Sequence, residues 1–179
     1  MRVFWGQGFA AASVDVLCRE MQMPRASLYK MFGDKEGLFL ATVRHYGEVR
    51  FAPVRQLLEG GDDIHADLTA FFTGLIDFAT CDPQTPGCLI AGALADAAGA
   101  DMKMRARLKI EFSKVETALR ARLERAQVAG QIAAKPKSED LARMLAATAR
   151  GLMLRARTGC LADELYPAAQ ACIELCCRK

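Results

Sequence analysis

Histidine is scarce in this chain of 179 residues, and none of its seven cysteines forms a C-x-x-C pair. The two histidines, His45 and His65, are far apart in the sequence. Zinc sites and thioredoxin-like dithiols both need closely spaced ligands, so the sequence predicts neither a metal ion nor a cofactor. An odd number of cysteines leaves at least one unpaired within the chain, which favours a reducing cytoplasmic location.

Long hydrophobic runs and a charge excess of either sign are also missing. The longest apolar stretch, residues 88–100, contains Asp96 and is too short to cross about 30 Å of hydrocarbon. Gln7 and two glycines interrupt the apolar residues at the N-terminus, so no signal peptide is expected. A net charge of +3 gives no global indication of a nucleic-acid or membrane partner.

Catalytic patterns are lacking as well. The chain shows no nucleophile–base arrangement, no paired carboxylates and no glycine-rich phosphate loop. We therefore expect that it is not an enzyme.

What the sequence does have is helical periodicity along nearly its whole length. One apolar stripe with helical spacing consists of Leu68, Phe71, Phe72, Leu75, Ile76 and Ala79. Similar stripes recur in residues 108–126, 141–152 and 161–176, and no segment alternates with a period of two. The pattern predicts an all-α protein of about nine helices.

Glycine- and proline-containing breaks separate short helical segments near the N-terminus from long amphipathic ones after residue 62. This contrast predicts two domains, a small one over residues 1–50 and a larger helical bundle over residues 51–179.

Two short helical patterns lie close together within the first domain. Ser13 is a good N-cap for the first, Pro24 stands at the first helical position of the second, and Asp34 caps the helix that follows. The second pattern, residues 24–31, turns Arg25, Ser27, Tyr29 and Lys30 outward. A slim helix with such donors suits the major groove, which indicates a helix-turn-helix. The alternative is that these cations form a solvated face and that Tyr29 is half-buried.

Residues 4–38 resemble the DNA-binding segment of TetR-type transcriptional regulators. That family's pattern is F-x-x-x-G-F, then Thr/Ser-Val, a short helix and L-Y-x-x-F-x-x-K-E-x-L. The matches, which keep its spacing, are Phe4, Gly8, Phe9, Ser13, Val14, Leu28, Tyr29, Phe32, Lys35, Glu36 and Leu38. The resemblance implies a homodimer that binds a palindromic operator, and a ligand-responsive repressor.

The same resemblance implies roles for individual side chains. Tyr29 and Lys35 match positions that hold backbone phosphates, and Ser13 and Ser27 match phosphate-contacting hydroxyls. Arg25 is the candidate for base reading, because its planar fork can bind guanine O6 and N7 together. Lys30 is expected at a base or a phosphate.

Three departures from the family pattern stand out. Pro24 replaces a common serine cap, and Met31 replaces a histidine or tyrosine that often contacts phosphate. The chain also begins within the family's first helix, so the first helix is expected to be truncated.

By resemblance, the last two helices, residues 139–157 and 162–177, form a four-helix interface with their mates in a homodimer. The predicted interface residues are Leu141, Leu145, Leu152, Leu165, Ala169, Cys172 and Ile173. The alternative is that these residues close the core of a single protomer.

The family also implies an effector cavity in the larger domain. The candidate lining residues are Phe71, Phe72, Leu75, Phe78, Leu89, Met104, Leu108, Phe112 and Met144. Since polar groups are few among them, an apolar effector is favoured, although plain core packing explains the same residues. A helix over residues 34–60, bent at Pro53, would transmit the change that releases the operator.

A thiol-based redox sensor is the alternative function. Cys81 and Cys88 flank one loop, and Cys88 is expected to open a helix, where a thiol pKa is lowered. Most buried thiols instead behave as small apolar residues.

Overall fold

The computed structural model describes residues 1–178, except for the side chain of residue 100, and this part of the chain contains helices and no strand. Its elements are α1 (Arg2–Ala11), α2 (Val14–Glu20), α3 (Arg25–Phe32), α4 (Lys35–His45), α5 (Ala52–Gln56), α6 (Ile64–Thr80), α7 (Ala95–Ala100), α8 (Met102–Val128), α9 (Ser138–Arg157), α10 (Ala162–Cys177) and two π-helical segments, Tyr46–Phe51 and Ile90–Leu94. Counting directly consecutive segments as one gives nine helices within this part, which confirms the predicted all-α architecture.

The chain divides into two compact units. The first consists of Met1–Phe51 together with Cys88–Glu111. The second consists of Ala52–Gly87 together with the chain from Phe112 onward. The segment Cys88–Glu111, which the sequence division assigns to residues 51–179, thus packs with the N-terminal helices. It does so because α1 contacts both α7 and the π-helical segment before it.

Aromatic side chains form the core of the first unit. The ring centroid of Phe39 lies 4.9 Å from that of Phe4 and 5.0 Å from that of Phe9. Trp5 meets Tyr46 edge-on at 5.1 Å. Such edge-to-face pairs add to the burial of large apolar surface, so α1 and α4 are held together through their aromatic faces.

The second unit is built on α6, which packs against α9 and α10. The α6 stripe predicted from periodicity is buried, with Leu68, Phe71 and Ile76 fully enclosed. Asp63 caps α6 by accepting hydrogen bonds from the backbone N–H groups of His65 and Ala66 at 2.8 and 3.2 Å. No helix among residues 1–178 is long and apolar enough to span a membrane.

The break expected at Pro53 falls earlier in the chain. Regular α-helix ends at His45, and residues Tyr46–Phe51 are π-helical, whereas Pro53 lies inside the short helix α5. The irregular segment begins at the buried Tyr46, which the sequence pattern does not mark as a breaker.

Candidate DNA-binding site

Helices α2 and α3 are joined by a tight turn. The backbone N–H of Met23 donates to the carbonyl of Cys18 at 2.9 Å, and Gln22 has a positive φ of 50°. Leu17 on α2 and Leu28 on α3 are buried. Because their apolar faces are buried, the two helices leave their polar faces outward, as a helix-turn-helix requires.

The local capping signals hold, with one shift of register. The Ser13 hydroxyl oxygen accepts from the N–H of Val16 at 3.3 Å, and the Asp34 carboxylate accepts from the N–H of Gly37 at 2.7 Å. The prediction that Pro24 is the first helical residue is wrong by one position: Pro24 is extended, with ψ 146°, and α3 starts at Arg25. Its missing N–H is harmless in either place.

The predicted reading residues share the outer face of α3. Arg25 and Lys30 are exposed, Ser27 is partly exposed, and Tyr29 is 45% exposed. The Arg25 Nε lies 3.1 Å from the Asp15 Oδ1 on α2. The surface therefore offers a guanidinium, a phenol and an ammonium side by side.

Lys35 is less exposed than Arg25 and Lys30. Its ammonium donates to the Ala10 carbonyl at 3.1 Å and lies 4.7 Å from the centroid of the Phe9 ring. Burial lowers the pKa of the Lys35 ammonium. Lys35 thus ties the start of α4 to the end of α1, a structural contact that the sequence does not reveal.

We expect Lys35→Ala to lower both stability and DNA affinity, because it removes a hydrogen bond inside the domain as well as a cation. At about 1 kcal/mol for a partly exposed contact, the midpoint of thermal unfolding should fall by about 2–4 °C. The exposed Lys30 provides the matched control, since Lys30→Ala should reduce the salt dependence of binding without changing the midpoint. Equal midpoints for the two variants, measured by circular dichroism, would contradict the structural contact.

The candidate effector residues are divided between the two units. Leu89, Met104 and Leu108 lie in the first, and Phe71, Phe72, Leu75, Phe78, Phe112 and Met144 in the second. All except Met144 are buried or partly buried, whereas Met144 is 40% exposed on α9. Within the second unit, Phe72 also lines a groove of about 320 Å³ between α6 and α10, together with Thr69, Tyr166 and Ile173.

The seven predicted interface residues are all buried within the chain itself. They face α6 or the other of the two last helices, as the core-closing alternative describes. Exposed apolar side chains occupy the neighbouring positions on α9 and α10, among them Leu154 and Leu175. These helices therefore carry an exposed apolar face beside the predicted interface residues.

Cys88 does not open a helix. The π-helical segment begins two residues later, at Ile90, and the sulfur of the buried Cys88 accepts a hydrogen bond from the Tyr46 hydroxyl at 3.2 Å. Burial raises the pKa of the Tyr46 phenol. Cys81 is exposed, and its thiol donates to the Phe78 carbonyl at 3.3 Å. Neither geometry supplies the accessible, cation-activated thiolate that a redox sensor needs, so the redox alternative gains no support.

The sequence reasoning missed a buried ion pair in the second unit. The Arg122 side chain is 2% exposed, and its Nε lies 2.5 Å from the Asp67 Oδ2. The Gln131 side-chain oxygen accepts from Arg122 and from the N–H of Ile64. A usable signal was present, because Asp67 and Arg122 both occupy positions within apolar helical stripes.

Two short helices packed through apolar faces, with donors on the outer face of the second, define a helix-turn-helix DNA-binding protein. A sequence profile described as "Tetracyclin repressor-like, C-terminal domain" matches residues 65–171, and one described as "Bacterial regulatory proteins, tetR family" matches residues 1–42. The chain belongs to the TetR family of transcriptional regulators, and it is a DNA-binding regulator, not an enzyme.

Individual relatives agree with this assignment. The HTH-type transcriptional repressor ComR of Escherichia coli (strain K12) is 25% identical over 177 residues, which make up 98% of this chain and 84% of ComR. The TetR family regulator CifR, solved as a cysteine mutant complexed with a 26-base-pair double-strand operator DNA, superposes with a TM-score of 0.88 and 26% identity over 97% of this chain and 91% of that chain. Reduced E. coli NemR has the same fold, with a TM-score of 0.80 and 19% identity over 98% of this chain and 93% of that chain.

Proposed function

We propose that the protein is a cytoplasmic transcriptional repressor that binds a palindromic operator as a homodimer and is released by a small apolar effector. Residues 1–50 would bind DNA, and residues 51–179 would bind the effector and dimerise. The observation that carries this proposal is the exposed row of Arg25, Tyr29 and Lys30 on α3. ComR is itself described as a repressor, and CifR was solved with operator DNA, which supports the direction of the proposal.

The other predicted contacts fit phosphate binding. Ser13 uses its oxygen as an acceptor in the cap of α2, so its O–H remains able to donate to a phosphate. Tyr29 presents an exposed phenol on α3, and Ser27 a partly exposed hydroxyl. Phosphate contacts of this kind fix the register of α3, the discrimination between bases falls to Arg25, and Lys30 contacts a base or a phosphate.

A random-site selection with the purified protein tests this proposal. We expect enrichment of an inverted repeat whose two half-sites are related by a dyad, because a symmetric dimer presents two identical reading helices. Enrichment of a single asymmetric half-site would contradict the homodimeric mode, and no enrichment over random DNA would contradict operator recognition.

The dimer is proposed to form through the exposed face of α9 and α10. On α9, Met144, Ala147, Gly151 and Leu154 are exposed at helical spacing, and the exposed apolar residues of α10 include Ala168, Ala171 and Leu175. Stripes without charge that combine small and large apolar residues allow two helices to approach closely and exclude water. This face borders the predicted interface residues, which brace it from inside the chain.

We expect Leu154→Glu to convert the dimer into a monomer and to weaken operator binding by about tenfold or more, because each half-site must then be bound independently. The substitution places a carboxylate within the proposed interface, where its burial is costly. Val128→Glu adds the same charge at an exposed apolar residue of α8 outside the stripe and should leave the dimer intact. Sedimentation velocity distinguishes the two, and an unchanged dimer in both variants would place the interface elsewhere.

The effector proposal is supported by the large buried apolar side chains of the second unit, such as Phe71 and Phe72. The scarcity of polar groups among the candidate lining residues favours an uncharged aromatic or aliphatic molecule over an anion. Titration of an operator complex, followed by fluorescence anisotropy, with matched neutral and charged aromatic compounds tests this preference. Release by charged compounds alone would contradict it.

A further inference from the structure

The carboxylate of Asp15 lies between α2 and α3, the two helices of the helix-turn-helix. Asp15 is in the first turn of α2, and its Oδ1 is 3.1 Å from the Nε of Arg25, the first residue of α3. Both side chains are exposed, at 77% for Asp15 and 57% for Arg25. The contact therefore lies at the protein surface beside Arg25, which the proposed function places against DNA.

The choice of atom matters for what Arg25 can still do. A guanidinium presents five N–H donors in a rigid plane, and Nε lies at its inner edge. A carboxylate held at Nε leaves the two outer nitrogens available, and this pair can bind guanine O6 and N7 together. The same contact fixes the orientation of the guanidinium plane, whereas the guanidinium of an unpaired arginine side chain rotates freely among many orientations.

A carboxylate at this place also has an electrostatic cost. Each negative charge on a DNA-facing surface repels the phosphate backbone, whatever the base sequence. Asp15 should therefore weaken binding to all DNA while sharpening the choice among bases. These two effects have opposite signs, so one set of measurements can separate them.

We propose that Asp15 is a positioning residue that determines specificity by holding Arg25 in its base-reading orientation. This inference rests on the proposed function, because it requires that Arg25 reads a base. An exposed ion pair is weak, so the expected effect is a loss of about two- to fivefold in discrimination per half-site when Asp15 loses its charge.

The test measures binding to the duplex obtained from random-site selection, to every single-base-pair variant of it, and to random DNA. Asp15→Asn should raise the affinity for random DNA and reduce the discrimination at one position of each half-site. Glu20→Gln is the matched control, because Glu20 is an exposed acid on the same helix. It should also raise the affinity for random DNA, but should leave discrimination unchanged. Asp15→Glu, which keeps the carboxylate, should restore part of the discrimination.

The positions affected identify the mechanism. The preference reduced by Asp15→Asn must fall at the position whose preference Arg25→Ala removes, and Asp15→Asn should have no further effect on discrimination in an Arg25→Ala background. Unchanged or increased discrimination in Asp15→Asn, while Arg25→Ala still removes a preference, overturns the positioning role alone. If Arg25→Ala leaves every preference intact, base reading by Arg25 and the role of Asp15 both fail.

Discussion

Replacing Arg25 with alanine is expected to remove the base preference at one position of each half-site. A bidentate contact between arginine and guanine contributes about 1–3 kcal/mol of discrimination, so binding to the selected operator should fall by about 5- to 150-fold per half-site. Binding to random DNA should fall far less, because only one cation is lost. The fold should tolerate the change, since the side chain is exposed and its ion pair with Asp15 faces solvent.

The control for this prediction, Arg25→Lys, keeps the positive charge and removes the planar guanidinium group. Arg25→Lys retains a cation that can meet a phosphate, but an ammonium cannot bind O6 and N7 with two parallel hydrogen bonds in a fixed plane. We expect Arg25→Lys to lose most of the discrimination while binding random DNA as the unaltered protein does. Equal losses on operator and random DNA for Arg25→Ala, measured across a salt series, would mean that Arg25 contacts phosphate.

The helix-turn-helix could be predicted from sequence because the interactions that determine it are local. Ser13 and Asp34 cap helices through hydrogen bonds to residues three positions away, and such bonds depend on little beyond the immediate sequence. Pro24 shows the limit of this reasoning, because a proline is acceptable both before the helix and at its first position. The resulting error of one residue does not change which face of α3 points outward.

Long-range contacts could not be predicted in the same way. Lys35 is partly buried, less exposed than a plain phosphate ligand would be. Only the structure shows its hydrogen bond to Ala10, which lies 25 positions earlier in the chain. The packing of the segment Cys88–Glu111 is also a long-range contact, and nothing in the apolar periodicity of this segment indicates that it packs with α1.

Helix α9 shows why a dimer face is hard to identify from periodicity. Apolar residues occupy two faces of this helix, so periodicity makes Leu145 on one face and Met144 on the other equally good candidates for contact with a partner. The structure buries Leu145 and leaves Met144 exposed because α6 and α10 pack against only one side of α9. A helix with two apolar faces predicts two contacts, but it does not indicate which of them is within the chain.

The buried ion pair between Asp67 and Arg122 leads to the largest expected effect on stability. Asp67→Ala leaves the Arg122 guanidinium enclosed without its carboxylate, and breaking a buried pair in this way costs about 3–5 kcal/mol. For a chain of this size, the midpoint of thermal unfolding should fall by about 10 °C. The remaining hydrogen bond from Arg122 to Gln131, at 3.5 Å, is too long to compensate.

Two further variants separate burial of charge from loss of a contact. The double substitution Asp67→Leu with Arg122→Met replaces both charges by apolar groups and should recover most of the stability, because no unpaired ion is left in the core. Glu139→Ala breaks the ion pair with Arg143 on the surface of α9, where both side chains are more than half exposed, and should change the midpoint little. If Asp67→Ala costs no more than Glu139→Ala, water reaches Arg122 and the pair is not a buried one. If the double variant is as unstable as Asp67→Ala, the hydrogen-bond geometry of the pair, and not the removal of charge from the core, stabilises the contact between α6 and α8.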